Sequence, residues 1–273
     1  MKSDYQINRW KMLLALLFLV GALFSAKTQA MNVDTELVIL VDAQTFSQSD
    51  FDLILDGVAQ SFESQSFIDD VAAGAEGRIA ASVILFNSNN SQTVGIPWMA
   101  LSSASDLQNF ATSVRNLANP TPFGNVSYAG AISSGAAQIA SSVYQGAVTQ
   151  LTIIDDGTGF FSANPIATRA ARDAALVSSV DIINGVIFDV AFQVGLAESY
   201  YNDNVVGGGP QGTIEAIGSP QGGPKSAAEI AAIETAIANQ ITFATSSTLS
   251  NVPEPSSLVL CLVGLGFLAT RRR

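Results

Sequence analysis

Five consecutive apolar residues, Leu37 to Val41, run directly into Asp42. A run of that length with three β-branched members suits a strand buried on both faces of a parallel sheet. An acid at its carboxyl end stands where open α/β sheets hold their ligands. The period then changes from continuous to helical. Phe51, Ile54, Leu55, Val58 and Phe62 form one stripe facing a sheet, with Ser49 as the expected N-cap and Asp50 and Asp52 in the first turn. Gly74 and Gly77 break the chain before a second apolar run, Ile79–Phe86. The polar stretch 87–92 leads to a third strand, Thr93–Trp98, and so short a link predicts an antiparallel hairpin at the sheet edge.

The same alternation continues. Ser103 and Asp106 form a capping-box pattern ahead of a helix whose stripe is Leu107, Phe110, Val114 and Leu117. Residues 119–124 read as a loop, followed by a small-residue helix with Ala129, Ile132, Ala136, Ile139 and Val143 on one face. That face is core rather than a site. A strand over Gln150–Asp155 runs straight into Asp155-Asp156-Gly157-Thr158-Gly159. Then come a helix over 168–180, a strand over 182–188 interrupted at Asn184-Gly185, and a short helix over 196–205 carrying Tyr200 and Tyr201. A loop at 207–210 precedes a short strand over 213–217. Ser226 and Glu229 cap a last helix with Ile230, Ile233, Ile237 and Ile241 on its buried face, and 245–251 is a Ser/Thr-rich spacer. There is no internal repeat. Strands alternating with helices predict one α/β domain, Rossmann-like, with a mostly parallel central sheet, an antiparallel edge strand and helices on both faces.

The two ends follow different patterns. Lys2, Arg9 and Lys11 precede an apolar run from Met12 to Phe24, and small and polar residues follow up to Ala30. This is the order of a secretory signal peptide cleaved after Ala30, and the run is short against the roughly 20 residues of a membrane span. At the other end Pro253-Glu254-Pro255 is followed by an apolar segment, 258–269, and then by Arg271-Arg272-Arg273. A basic terminus of this kind stops at the cytoplasmic face. The expected organisation is a signal peptide at 1–30, a domain at 31–248 and a sorting or anchor segment at 249–273.

Composition narrows the chemistry. Residues 31–252 hold 5 basic and 21 acidic residues, a net charge of −16. A body this acidic repels nucleic acid at every phosphate. There is no histidine, and the one cysteine, Cys261, lies in the tail. The commonest general base and zinc ligand are therefore missing, and the body must be stabilised by its core rather than by disulfides.

The tail resembles the PEP-CTERM sorting signal of Gram-negative bacteria, with Pro253, Glu254 and Pro255 as its motif. That resemblance implies recognition and removal by an exosortase-type membrane protease. It also implies export across the inner membrane, transient anchoring there, and then a cell-surface or extracellular location. The body resembles the von Willebrand factor type A fold, and in particular an exported bacterial family (domain of unknown function 1194). The resemblance is carried by the order strand–Asp, helix, hairpin, helix, loop, helix, strand–Asp. It is also carried by Gly77-Arg78-Ile79-Ala80, Ile96-Pro97-Trp98, the stretch 170–176, Ile183-Asn184-Gly185, and Tyr200-Tyr201 through Gly208.

Type A domains commonly bind a metal through Asp-x-Ser-x-Ser, a loop threonine and a later aspartate, which supply hard oxygen ligands for Mg²⁺ or Mn²⁺. On that pattern Asp42 matches the first aspartate and Asp156 (or Asp155) the last. The serine positions fall on Gln44 and Phe46, or on Thr45 with one deletion, and the threonine falls on Val126 with Ser127 beside it. The implied metal residues are Asp42, Thr45, Ser127 and Asp156. They form a degenerate metal-ion-dependent adhesion site holding Mg²⁺ weakly or not at all; in the alternative, Asp42 and Asp156 serve only to cap nearby amides. Alternation along a strand argues against a proton-sharing pair at Asp155-Asp156. Trp98, Tyr200 and Tyr201 are either sugar-stacking or packing residues.

Taken together, these features predict a non-enzymatic binding or structural protein of the envelope or extracellular matrix. The candidate partners are an extracellular polysaccharide or another envelope protein. The alternatives are a weak Mg²⁺-dependent adhesin and a metal-dependent hydrolase using Asp42 and Asp156.

Overall fold

A computed structural model of the chain describes residues 30–45, 47–87, 92–120, 126–157, 159–160, 162–188, 193–208, 212–218 and 225–250, with backbone alone at 239 and 242–250. The expected signal peptide, the sorting segment from 251 onward, Phe46 and most of the 119–124 loop lie outside these residues.

Seven strands form one sheet: β1 (Met31–Asp42), β2 (Ile79–Phe86), β3 (Thr93–Leu101), β4 (Tyr144–Asp155), β5 (Ile182–Ile187), β6 (Gly207–Gly208) and β7 (Ile214–Ala216). Their order is β3-β2-β1-β4-β5-β6, with β7 also pairing β5. β1 pairs β2 in parallel from Thr35↔Ile79 to Asp42↔Phe86, and β4 pairs β5 in parallel from Gln150↔Ile182 to Asp155↔Ile187. β3 is antiparallel to β2 at one edge, as the short polar link requires. Successive connections move outward from β1 on one side and from β4 on the other. The β1–β4 boundary is therefore the topological switch point, where the loops diverge and leave a crevice at the carboxyl ends.

Helices cover both faces. On one side lie α1 (Gln48–Glu63), α2 (Gln65–Ala73), α3 (Ala104–Arg115) and α7 (Ala227–Ser250). On the other lie α4 (Tyr128–Ala140), α5 (Pro165–Ser178) and α6 (Val194–Asn204). Alternation along β1 divides the core between them. Leu37, Ile39 and Val41 pack with Phe51, Val58, Phe62, Phe110 and Ile237, whereas Val38 and Leu40 pack with Tyr128, Ile132, Ile153 and Tyr201. Phe62 anchors the first cluster, with ring centroids 5.2 Å from Phe67 and 4.6 Å from Phe110.

The expected helix stripes are largely the buried ones, and the differences have local causes. α1 is capped by Ser47, not Ser49: the Asp50 amide donates to Ser47 Oγ at 3.2 Å. Ser64 closes α1 and also caps α2, accepting from the Phe67 amide at 3.3 Å, so a second helix forms where the sequence showed only the run-up to Gly74. α4 ends at Ala140, which leaves Val143 68% exposed, and its buried face is Tyr128, Ala131, Ile132, Gly135 and Ile139. α5 starts at Pro165, earlier than expected, because Asn164 Oδ1 accepts from the Ile166 and Ala167 amides and proline suits the first helical position. β5 continues through Asn184-Gly185 without a break. The expected loop at 207 begins as β6, antiparallel to β5 at the sheet's second edge. α7 opens with the Ser226–Glu229 box and continues to Ser250, so helix replaces most of the expected spacer.

Candidate functional site

β1 ends on Asp42 and β4 on Asp155, side by side across the switch point. Both lie on the α4–α6 face by the alternation that sends Val38, Leu40, Leu151 and Ile153 there. Asp156 follows one residue past the strand end. One carboxylate oxygen each from Asp42, Asp155 and Asp156 lies within 4.8 Å of the other two, and all three residues are fully buried. The strand-alternation rule therefore fails to separate Asp155 from Asp156: β4 has ended, and the turn carries Asp156 back toward the same crevice.

Each acid is held by its surroundings. Asp42 Oδ1 accepts from the Gln44 amide at 2.8 Å, and the Ala43 amide continues the sheet by donating to the Phe86 carbonyl at 2.9 Å. Asp155 Oδ1 accepts from the Gly157 amide at 3.0 Å, in a turn where Gly157 has φ +75°. Asp155 Oδ2 takes two phenol donors, Tyr201 at 2.9 Å and a short hydrogen bond from Tyr128. Gly185 on β5 makes that reach possible. A Cβ there would lie 2.8 Å from Tyr201 Cδ1, so only glycine leaves space for the ring. Gly159 plays a similar part, since a Cβ would meet Val126 at 2.4 Å.

The electrostatics are unbalanced. Among the described residues Asp42 Oδ2 is buried and accepts from no donor, and Gln44 Oε1 in the same loop is a second such acceptor. Burial, followed by repulsion from Asp155 and Asp156, pushes the Asp42 carboxyl well above the usual carboxylate range, against the lowering effect of the Gln44 amide. Burial and the Asp155 charge likewise raise the Tyr128 and Tyr201 phenols, which keeps them protonated as donors. A site like this is stable only when a proton or a cation neutralises part of its charge. Three carboxylates brought this close are hard oxygen donors of the kind Mg²⁺ or Mn²⁺ takes, so the residues present fit such an ion.

Of the four residues expected from sequence, Asp42 and Asp156 belong to this cluster. Thr45 donates its hydroxyl to the Ser47 carbonyl at 2.9 Å, and Ser127 caps α4 by accepting from the Gly130 amide at 3.1 Å. Sequence reasoning gave Asp155 only as a substitute for Asp156 and missed Tyr128 as a site residue. The signal for Tyr201 was Gly185 on the adjacent strand β5, where the missing side chain leaves room for the ring. The aromatic candidates are packed: Tyr201 is fully buried, and the Trp98 indole donates to the Gln138 carbonyl at 3.2 Å and sits edge-on to Tyr144.

A doubly wound sheet with aspartates at the switch point and helices on both faces is the von Willebrand factor type A fold. It superposes on the von Willebrand factor type A protein from Catenulispora acidiphila (TM-score 0.51, 10% identity, 80% of this chain and 43% of that one). It also superposes on proximal thread matrix protein 1 from the mussel byssus (0.52, 10%, 79% and 49%). A third match is the pilus adhesin SpaC from Lactobacillus rhamnosus GG in its open conformation (0.51, 11%, 80% and 30%). The chain spans less than half the length of each. By sequence it belongs to the family described as protein of unknown function (DUF1194), whose model matches residues 32–219. Residues 251–273 match the PEP-CTERM protein-sorting motif, which implies export and processing by an exosortase-type protease. No curated protein matches the chain in sequence. Among the described residues no helix is long and apolar enough to cross a membrane.

Proposed function

We propose that this chain is an exported, exosortase-processed binding or structural protein of the envelope or extracellular matrix, not an enzyme, and that its acid cluster is a degenerate metal-ion-dependent adhesion site. On this reading residues 1–30 are removed on export, 31–248 form the working domain, and 249–273 direct sorting through transient contact with the inner membrane. The adhesive and matrix roles named for the pilus adhesin and the byssus thread protein support the assignment by analogy of fold alone.

The observation that carries the reading is the complete burial of Asp42, Asp155 and Asp156 around an Asp42 oxygen that has no donor among the described residues. An open adhesion site needs a coordination position that a partner's acid can reach, and a hydrolase needs one that substrate and water can reach. Fully enclosed carboxylates provide neither. They retain the capacity to neutralise charge: Asp42, Asp155 and Asp156 would hold the ion, with Thr45 and Ser127 offering their remaining lone pairs. When bound, the ion supplies positive charge that locks β1, β4 and the turn after β4 together.

Thermal unfolding in Mg²⁺, in Mn²⁺ and in chelator tests this. Binding to the folded state alone stabilises by about 2.7 kcal/mol at a hundredfold excess over the dissociation constant. The expected result is a rise in melting temperature confined to millimolar metal and abolished by Asp42→Ala. A melting temperature indifferent to both metals would remove metal from the site and leave protons as the neutralising species; a shift at micromolar metal would mean a working rather than a degenerate site.

A further inference from the structure

α5 turns an apolar stripe to solvent. Ile166, Ala170, Ala174 and Val177 recur at i, i+4, i+8 and i+11, on one helix face, and all four are exposed. Ile166 is 82% and Val177 89% exposed, and the helix buries only Thr168 and Ala175. A surface helix ordinarily places such residues against the core and charged ones outside. Beside the stripe the Arg169 guanidinium donates to Asn204 Oδ1 at 3.1 Å, and Arg172 to the Asp203 carbonyl at 2.8 Å. With Arg169, Arg172 and Asp173, α5 is the one helix of positive formal charge among those described, in a body of net charge −16. It is the helix on which approach by another acidic molecule costs least.

The complementary surface lies across the sheet. α1 and α7 border a cleft of about 420 Å³ lined by the half-buried Ile230, by the edge of the core residue Leu53, and by the carboxylates of Asp52, Glu234 and Asp56, the last already paired with Arg115 at 2.9 Å. The buried Asp50–Lys225 ion pair also lines it and ties α1 to the start of α7.

We infer that the α5 face of one copy docks into the α1–α7 cleft of the next, so that the chain assembles head to tail. Ile166 and Val177 meet Leu53 and Ile230, and Arg169 faces the acids. The two surfaces sit on opposite faces of one sheet, so a two-fold axis cannot bring both into a single interface. The contact is heterologous, leaves a free cleft at one end and a free α5 at the other, and propagates into a filament or closes into a ring. This assembly is independent of the acid cluster and of any metal it holds.

Two variants of the full chain test it. The first carries Ile166→Glu and Val177→Glu on α5, the second Asp52→Lys and Glu234→Lys in the cleft; all four positions are outside the core, and circular dichroism confirms that each variant folds. In sedimentation velocity the unmodified chain should form species of at least twice the monomer mass that grow with concentration. Each variant alone should stay monomeric, and an equimolar mixture should form one-to-one dimers and nothing larger. Unmodified chain that stays monomeric at its solubility limit would overturn the proposal. So would dimers of the cleft variant alone, which would mean α5 pairs with itself, or association unchanged in both variants, which would place the contact elsewhere, the apolar ends included.

Discussion

At the scale of single residues, the cost of the site is concentrated on Asp42. The folded state holds its proton to higher pH than the unfolded chain, because burial and the neighbouring carboxylates disfavour its charge. Its contribution to stability is thus fully present below the unfolded value, near 4, and is lost as pH rises through the folded one, at most about 1.4 kcal/mol per pH unit. Asp42→Asn keeps an oxygen for the Gln44 amide and offers an N–H toward Asp155. In chelator, urea unfolding should show this variant more stable than the unmodified chain at pH 7, with the gain vanishing toward pH 4. A loss of equal size at every pH would mean that the charge itself is not what is costly. Tyr201 acts on the partner acid. Tyr201→Phe keeps the ring and removes one of two phenol donors to Asp155, and it should cost about 1–3 kcal/mol, the usual penalty for an under-satisfied buried acceptor. The two central aspartates were legible in the chain as apolar runs ending in an acid. Tyr128 was not, because its role depends on how far α4 rotates its first residue toward β4, and helical spacing leaves that angle open.

At the scale of elements, close approach decides more than propensity. Gly57 on α1 lets α7 lie against it: a Cβ there would sit 2.8 Å from Ile237 Cδ1, the flexible end of that side chain. Gly185 on β5 meets the rigid Tyr201 ring at the same distance. Gly185→Ala should therefore cost more than Gly57→Ala, about 1–3 kcal/mol as overpacking, and should also displace Tyr201 from Asp155. Denaturant midpoints of the two variants compare them directly, and equal losses would show that the Tyr201 ring can yield as readily as the Ile237 methyl. Element identity was read well from periodicity: β2 has the expected limits, and the Ile233, Ile237 and Ile241 face of α7 is buried. α2 is not predicted because the helical stripe is followed only to Phe62, whereas Ser64 both ends one helix and starts another. Asn184 and Gly185 are both poor strand formers, so local sequence predicts an interruption of the 182–188 strand. Asn184 compensates by accepting from the Thr213 amide at 3.0 Å, and Gly185 by making room for Tyr201.

At the scale of the whole molecule, one sheet is shared by two core layers, so neither layer can melt alone without exposing the other. Truncating either should shift the same transition. Phe110→Ala on the α1–α3 side should cost about 3–5 kcal/mol, and far-ultraviolet and near-ultraviolet circular dichroism should move together in urea; separate midpoints would mean that the two faces unfold independently. What the amino-acid sequence determined by itself was the class of fold, the acidity of the body, the sorting motif, and the presence of an aspartate at the end of each central strand, all of which follow from local pattern and composition. Only the tertiary structure decided what those aspartates became. Strand order placed β1 beside β4, the turn after β4 brought Asp156 in with Asp155, and helices packed on the same face enclosed the carboxylates with two phenols. Exposure and charge balance are properties of neighbours distant in sequence, and no periodicity along a single chain records them.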